Sequence, residues 1–217
     1  MSDLPATHNR RKQEKADRRD AILAAARRVF LQRGFHNATV DAVAREAGIA
    51  KGTLYLYFES KEMILAHLLL EGLDSLLGRL EAAYAEPLPL SAEARLRQLA
   101  AAYLAFFTEE QDLFRLLMAF DRGHLQQSVS PEMYASILER SLRGLGWLVR
   151  AVQQGIADGS FAVTDPRAAA GGLWAAVNGV LVLLSHPLRR QLLGHAEVEA
   201  LYDQVTGTML KGMMNDE

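Results

Sequence analysis

The sequence predicts an all-α chain: an N-terminal three-helix helix-turn-helix domain followed by a helical-bundle domain. Three observations predict it. Apolar residues recur three and four apart along almost the whole length, the spacing of one helix face. No stretch sustains the period-2 alternation of a half-buried strand, and the nearest hairpin signal, Asp158-Gly159, follows a helical pattern. Half the residues are hydrophobic and 23% are charged, which excludes a disordered chain.

The first helix is expected over Asp17–Arg33, with Ile22, Ala25, Ala26, Val29 and Phe30 on its inner face and Gly34 as its stop. Thr39 should cap a short second helix, with Asp41 in the first turn and Val40, Val43, Ala44 and Ala47 turned inward. Gly48 ends it. A third short helix covers about Ala50 to Tyr57, with Ile49, Leu54 and Phe58 inward. Ser60 caps a long Leu-rich fourth helix that must end before Pro87 and Pro89. Ser91 opens a helix to about Phe107, Asp112–Arg122 is another, and Gly123–Ser130 reads as a loop. Pro131 starts a segment reaching about Asp158. Asp165-Pro166 begins an apolar run that stops near His186-Pro187, and a last amphipathic helix spans about His195–Met214.

Composition limits the chemistry. With no cysteine, disulfide scaffolds, cysteine-based zinc sites and thiol catalysis are excluded. The N-terminus has no apolar core of a secretory signal, so a cytoplasmic location is expected. The uncharged stretch from Ala168 to Leu184 falls short of a spanning helix and contains Gly171, Gly172, Asn178 and Gly179, so no membrane partner is expected. The net charge of -2 conceals an asymmetry: residues 1–62 balance to +4 and residues 63–217 to -6. A basic end on an acidic body points to a polyanion as partner. The domains are accordingly placed at 1–62, a basic arm with the helix-turn-helix, and 63–217, a helical body.

Residues 39–58 carry the most specific pattern. A short helix, a turn through Ala47-Gly48-Ile49 and a second short helix form the unit that presents its second helix to the DNA major groove. Burial of Ile49, Leu54 and Phe58 leaves Lys51, Gly52, Thr53, Tyr55, Leu56 and Tyr57 on the outer and flanking faces. Hydroxyls and an ammonium gathered there suit phosphates and base edges. Gly52 costs about 1 kcal/mol of helix propensity relative to Ala, and close approach of the backbone to DNA would account for it.

The segment Ile22–Leu65 resembles the DNA-binding domain of the TetR/AcrR family of bacterial transcriptional regulators. The resemblance rests on Phe30, Gly34-Phe35, Thr39-Val40, Ala44, Ala47-Gly48-Ile49, Gly52-Thr53-Leu54-Tyr55, Tyr57-Phe58 and Lys61-Glu62 at the right spacing, and covers about a fifth of the chain. It implies a DNA-binding set of Thr39, Lys51, Gly52, Thr53, Tyr55, Tyr57 and Lys61, with Thr39 and Lys61 on phosphates. The start of the fourth helix is in any case a position that favours an anion. Ala50 stands where the family often has a capping Ser or Thr. Leu56 stands where a polar or aromatic residue is frequent; it either touches a thymine methyl or is an exposed leucine. The arm residues Arg10, Arg11, Lys12, Lys15, Arg18 and Arg19 either follow the DNA or form a disordered tail. Arg27, Arg28 and Arg33 are expected on a solvated face.

A single helix-turn-helix reads few base pairs, and such readers dimerise on two-fold half-sites. Ala168, Gly172, Ala175, Gly179 and Val182, with Leu201 and Val205 of the last helix, are the expected dimer interface. Gly171 and Ala176 share the small-residue stripe, and Leu181, Leu184 and Leu210 extend it. The resemblance implies the same four-helix contact. Tyr103, Phe106, Phe107, Met118, Trp147 and Trp174, with Asn178 as a polar group, are the candidate lining of a pocket for a small apolar effector, beside Phe114 and Phe120. No Gly-rich phosphate loop, HExxH or GxSxG occurs, and His8, His36, His67, His124, His186 and His195 lack metal-ligand spacing. The expectation is a homodimeric operator-binding regulator, a repressor released by a small apolar ligand, with no cofactor, metal or catalytic residue. The alternative is a helical small-molecule-binding protein with vestigial DNA binding.

Overall fold

Residues Leu4–Arg33 form one continuous helix, α1, so the basic arm extends the first helix instead of preceding it. Side-chain pairs one turn apart explain the extension: Arg10 Nε donates to Glu14 at 2.9 Å and Gln13 Nε2 to Asp17 at 2.8 Å. Such pairs support a solvated helix where no core does. The computed structural model describes residues 4–85, 90–120, 125–192 and 197–215.

The order continues α2 (Val40–Glu46), α3 (Lys51–Tyr55), α4 (Lys61–Tyr84), α5 (Ala92–Glu109), α6 (Gln111–Phe120), α7 (Leu125–Ser128), α8 (Pro131–Ala157), α9 (Pro166–Leu184), α10 (Pro187–Leu192) and α11 (Val198–Lys211). Among the described residues there is no strand, only an isolated bridge between Phe161 and Met214. Two short helices depart from expectation. The turn α7 lies where a loop was expected, and α10 begins at Pro187, a residue that suits a helix start. The proposed start at His195 lies outside the described residues, and α11 itself begins at Val198.

The chain falls into two compact units. One comprises Met1–Gly72 with Arg115–Ile137, the other Leu73–Phe114 with Leu138–Glu217. They part within α4, twelve helix positions beyond Lys61, and not at the start of that helix.

In the first unit, α1 packs on α2 and α2 on α3. Its core is Ile22, Ala25, Ala26, Val29 and Phe30 of α1, Val43 of α2, Leu54 of α3, Phe58, and Ile64, Leu65, Leu68 and Leu69 of α4. Full burial of a side chain such as Leu54 contributes about 2 kcal/mol, which is what holds a five-residue helix that would not persist alone.

In the second unit, α9 packs on α11 and both pack on α5. Leu96, Leu99, Phe106, Leu173, Leu181, Tyr202 and Leu210 are fully buried among them. The buried hydroxyl of Tyr202 donates to the Ala100 carbonyl at 2.8 Å, tying α11 to α5. Phe161 lies against Gly155, whose hydrogen leaves room for the ring that any Cβ would occupy. Helix α9 is long and apolar enough to cross a membrane by length and composition, and a third of its most apolar window is buried within the chain.

Candidate nucleic-acid interface

The local geometry around α2 and α3 comes from caps and glycines. Thr39 adopts an extended conformation and its Oγ1 accepts the Ala42 N–H at 3.2 Å, the N-cap expected of it. At the other end Gly48 takes φ of 66°, a left-handed position that a side chain would strain. Its N–H donates to the Arg45 carbonyl, and that of Ile49 to the Ala44 carbonyl at 3.0 Å, so the reversal closes with its last carbonyls satisfied. Gly34, at φ of 72°, ends α1 in the same way.

Helix α3 starts at Ala50 with no side-chain cap, as its alanine requires. The Ala50 carbonyl still receives the N–H groups of Thr53 and Leu54, and Leu54 and Phe58 anchor the segment to the core. Ile49 is half-buried and less inward than expected. On the outer side Lys51, Gly52, Tyr55 and Leu56 are exposed, and Thr53 and Tyr57 are half-buried. Tyr55 is 46% exposed and Leu56, just past the helix, 78%, so two large side chains stand side by side in solvent. Four of the six residues expected on the outer and flanking faces are thus exposed, and Thr53 and Tyr57 border the buried side.

Gly52 has an informative environment. A Cβ built there meets nothing within 4 Å, and its φ is not positive. Among the described residues nothing requires a glycine there.

Two cations are engaged. Lys51 Nζ pairs with Asp41 Oδ2 at 3.1 Å, joining α3 to the first turn of α2. That hydrogen bond, then the charge of Asp41, raise the Lys51 pKa. Both side chains are about half exposed, so the pair is weak in water and the lysine can transfer to a phosphate. Lys61 Nζ donates to the carbonyls of Phe35, His36 and Ala38 at 3.1, 3.3 and 3.2 Å. It also sits 4.7 Å from the Phe35 ring centre. Nothing in the pattern of residues announced these partners, which lie in the turn after α1. The partner of Lys51 was legible in principle, since Asp41 opens the helix before it.

Around this core, Arg28 pairs with Glu46 at 2.7 Å and Arg27 with Glu71 at 2.8 Å, linking α1 to α2 and α4 at the surface. Their expected solvated face is therefore also a seam. The Ser60 hydroxyl accepts the Met63 N–H at 3.1 Å, so α4 begins where the sequence placed it.

The candidate effector residues lie in different surroundings. Tyr103, Phe106, Phe107 and Phe114 are buried in the second unit, with Phe107 edge-on to Phe114 at 4.8 Å. Tyr103 donates its hydroxyl to Asn178 Oδ1 at 2.8 Å, so these two do meet. Trp147 instead packs against Tyr84 with the rings tilted by 43° and their centres 4.6 Å apart, and the Arg150 guanidinium lies 3.9 Å from its ring centre. Trp174 is 46% exposed. Met118 is half-buried in the first unit, and the Phe120 side chain lies outside the described residues.

Of the candidate dimer residues, Ala168 and Ala175 are exposed, and Gly172, Gly179, Val182, Leu201 and Val205 are half-buried. Gly172 faces Met209 of α11, 3.7 Å from a built Cβ. Leu181, Leu184 and Leu210 belong to the core, and Leu183 faces outward at 42% exposure. The correction comes from rotation: one residue turns the side chain by about 100° around a helix.

Comparison with known proteins agrees with this architecture. Residues 22–68 match the model described as bacterial regulatory proteins, tetR family, and residues 89–182 match that of the tetracyclin repressor-like C-terminal domain. The transcriptional repressor KstR2 of Mycolicibacterium smegmatis is 32% identical over 146 residues, 67% of this chain and 68% of that one. The transcriptional regulator RutR of Escherichia coli K12 is 28% identical over 169 residues, 78% and 76% of the two chains. The transcriptional regulator FadR of Bacillus subtilis, solved in complex with stearoyl-CoA, shares the fold at a TM-score of 0.71 and 23% identity, covering 89% of this chain and 98% of its own. The matched segments span both the helix-turn-helix and the helical body, and on them the chain belongs to the TetR family of bacterial transcriptional regulators.

Proposed function

We propose that this DNA-binding regulator is a homodimeric repressor that leaves its operator when a small apolar ligand binds its helical body. The outer face of α3 is the observation that carries the DNA half of the reading. Thr53, Tyr55 and Tyr57 offer hydroxyls to base edges and phosphates, Lys51 brings a transferable charge, and Gly52 permits close approach of the backbone. Thr39 contacts a phosphate beside it. A regulator that reads duplex DNA works in the bacterial cytoplasm, and that is the location proposed. No cofactor or catalytic step is assigned.

For the partner copy, the outward apolar surface of α9 and α11 is the proposed contact: Ala168, Ala175, Gly179 and Val182 with Leu201 and Val205, to which the exposed Trp174 and Leu183 add area. Gly172 contributes through α11 instead, by letting that helix approach. For the ligand, the Tyr103–Asn178 pair supplies the polar point amid Phe106 and Phe107. Stearoyl-CoA, bound in the FadR structure that shares this fold, is the first effector to try, its acyl chain serving as the apolar part.

The test selects duplexes from a random DNA pool with the purified protein, then titrates the selected duplex against protein over a range of salt. A specific regulator shows a preferred two-fold sequence and affinity well above its affinity for random duplex. Stearoyl-CoA added to the complex should weaken it. Only weak, sequence-indifferent association would favour the alternative, a small-molecule-binding protein with vestigial DNA binding.

A further inference from the structure

We infer that Lys61 is a positioning residue: it holds the turn before α2 so that Thr39 meets a DNA phosphate, and it does not itself neutralise one. The inference rests on the DNA-binding reading above and changes the role of one residue within it.

The ammonium group has three N–H donors and no acceptor. All three are matched by carbonyls of one turn, those of Phe35, His36 and Ala38, at 3.1–3.3 Å. The half-buried cation is further held against the Phe35 ring, which packs edge-on against Phe30 of the core at 5.3 Å. A hydrogen bond from Lys61 to a phosphate would therefore strip a carbonyl of its charged donor. Charge-assisted bonds of this kind are the strong ones, and an orphaned carbonyl is costly.

The same bonds orient the peptide that leads into α2. In a trans peptide the C=O and the next N–H point in opposite directions, and no peptide among the described residues is cis. Drawing the Ala38 carbonyl in to Lys61 turns the Thr39 N–H away from it. Ala38 is itself only 2% exposed, and its N–H returns to the Gly34 carbonyl at 3.1 Å, so the peptide has little freedom. Thr39 Oγ1 already accepts from Ala42, which leaves its hydroxyl proton to donate outward. The exposed Thr39 thereby presents an amide and a hydroxyl from a turn that one distant lysine holds in place.

The experiment measures affinity for the selected duplex against salt, using full-length wild-type protein, Lys61→Met, Lys61→Arg, Thr39→Ala and the Lys61→Met/Thr39→Ala double variant. On the positioning role, Lys61→Met weakens binding roughly tenfold or more, the scale of a lost charged hydrogen bond. The slope of log affinity on log salt stays at the wild-type value. In the Thr39→Ala background the same substitution costs no more than about twofold, because the residue it acts through is gone. Lys61→Arg, which keeps the charge but cannot seat its planar fork among the same three carbonyls, also weakens binding. A slope reduced by about one unit in Lys61→Met overturns the inference, since that is the signature of one lost phosphate contact. So does wild-type affinity in Lys61→Arg, which remains decisive if Lys61→Met does not fold. Additive losses in the double variant overturn it too. Failure of the wild-type protein to select any duplex is a different result, and would overturn the DNA-binding reading along with this one.

Discussion

Arg19 Nη2 lies 2.8 Å from His67 Nδ1, and because a guanidinium can only donate, the imidazole must present a lone pair there. His67 is therefore neutral and carries its proton on Nε2. It stands edge-on to Phe58 at 5.5 Å, while the Arg19 guanidinium lies 5.4 Å from the same ring. This cluster joins α1, the end of the recognition segment and α4.

Burial first, then the charge of Arg19, lower the His67 pKa to about 4. The unfolded chain, with its histidine near 6.5, takes up the proton first as pH falls. The contribution to stability is fully present above about pH 6.5 and is lost progressively between there and pH 4. We expect urea midpoints of the wild-type protein to fall across that window. His67→Gln should flatten the slope there by an amount on the order of 2 kcal/mol over the full range. An unchanged slope in the variant would show that other groups carry the pH dependence.

Gly52→Ala should change stability and binding in opposite directions. The position has open space and helical backbone, so alanine should raise stability by up to about 1 kcal/mol, visible as a higher melting temperature. DNA affinity should fall, because the added methyl stands on the face proposed to approach the duplex. A substitution that merely damaged the fold would lower both.

Leu56 invites a test made in the DNA instead of the protein. Its side chain is 78% exposed at the end of α3, and the apolar feature of the major groove is the thymine methyl. Replacing thymine by uracil, one operator position at a time, removes that methyl alone. At one position the wild-type protein should lose affinity several-fold, and Leu56→Ala should be indifferent to the same change. If no position separates the two proteins, Leu56 reads nothing.

The proposed dimer contact separates two neighbouring leucines. Leu183→Glu places a charge on the outward face of α9, and sedimentation should show it shifting the protein to monomer with its helix content intact. Leu181→Ala, in the core at 0% exposure, should cost about 2–5 kcal/mol of stability and leave assembly of the folded protein unchanged. A dimer that tolerates Leu183→Glu at micromolar concentration would move the interface elsewhere.

Much of the architecture was legible because helix ends are local events. Thr39, Ser60, Ser91 and Asp165 each accept an N–H from two or three residues downstream, and Gly34 and Gly48 each close a helix by their own backbone freedom. These need only a few consecutive residues. The extent of α1 is as local, but the arm's positive charge masks the pairs at i and i+4 that support residues 10–17.

The sequence by itself determined the all-helical fold, the positions of the turns and the segment that forms the candidate reading head, since periodicity, caps and left-handed glycines act within a turn or two of chain. Only the tertiary structure decided which charge is spent on which partner and which side of an apolar helix is covered. Lys61 meets carbonyls 23 to 26 positions earlier in the chain, and Arg19 meets a histidine 48 positions later. Leu181 and Leu183 have the same composition and almost the same place, yet one is enclosed and the other bare. Contacts across such separations depend on how whole helices are laid against one another, and that arrangement minimises exposed apolar area over many residues at once.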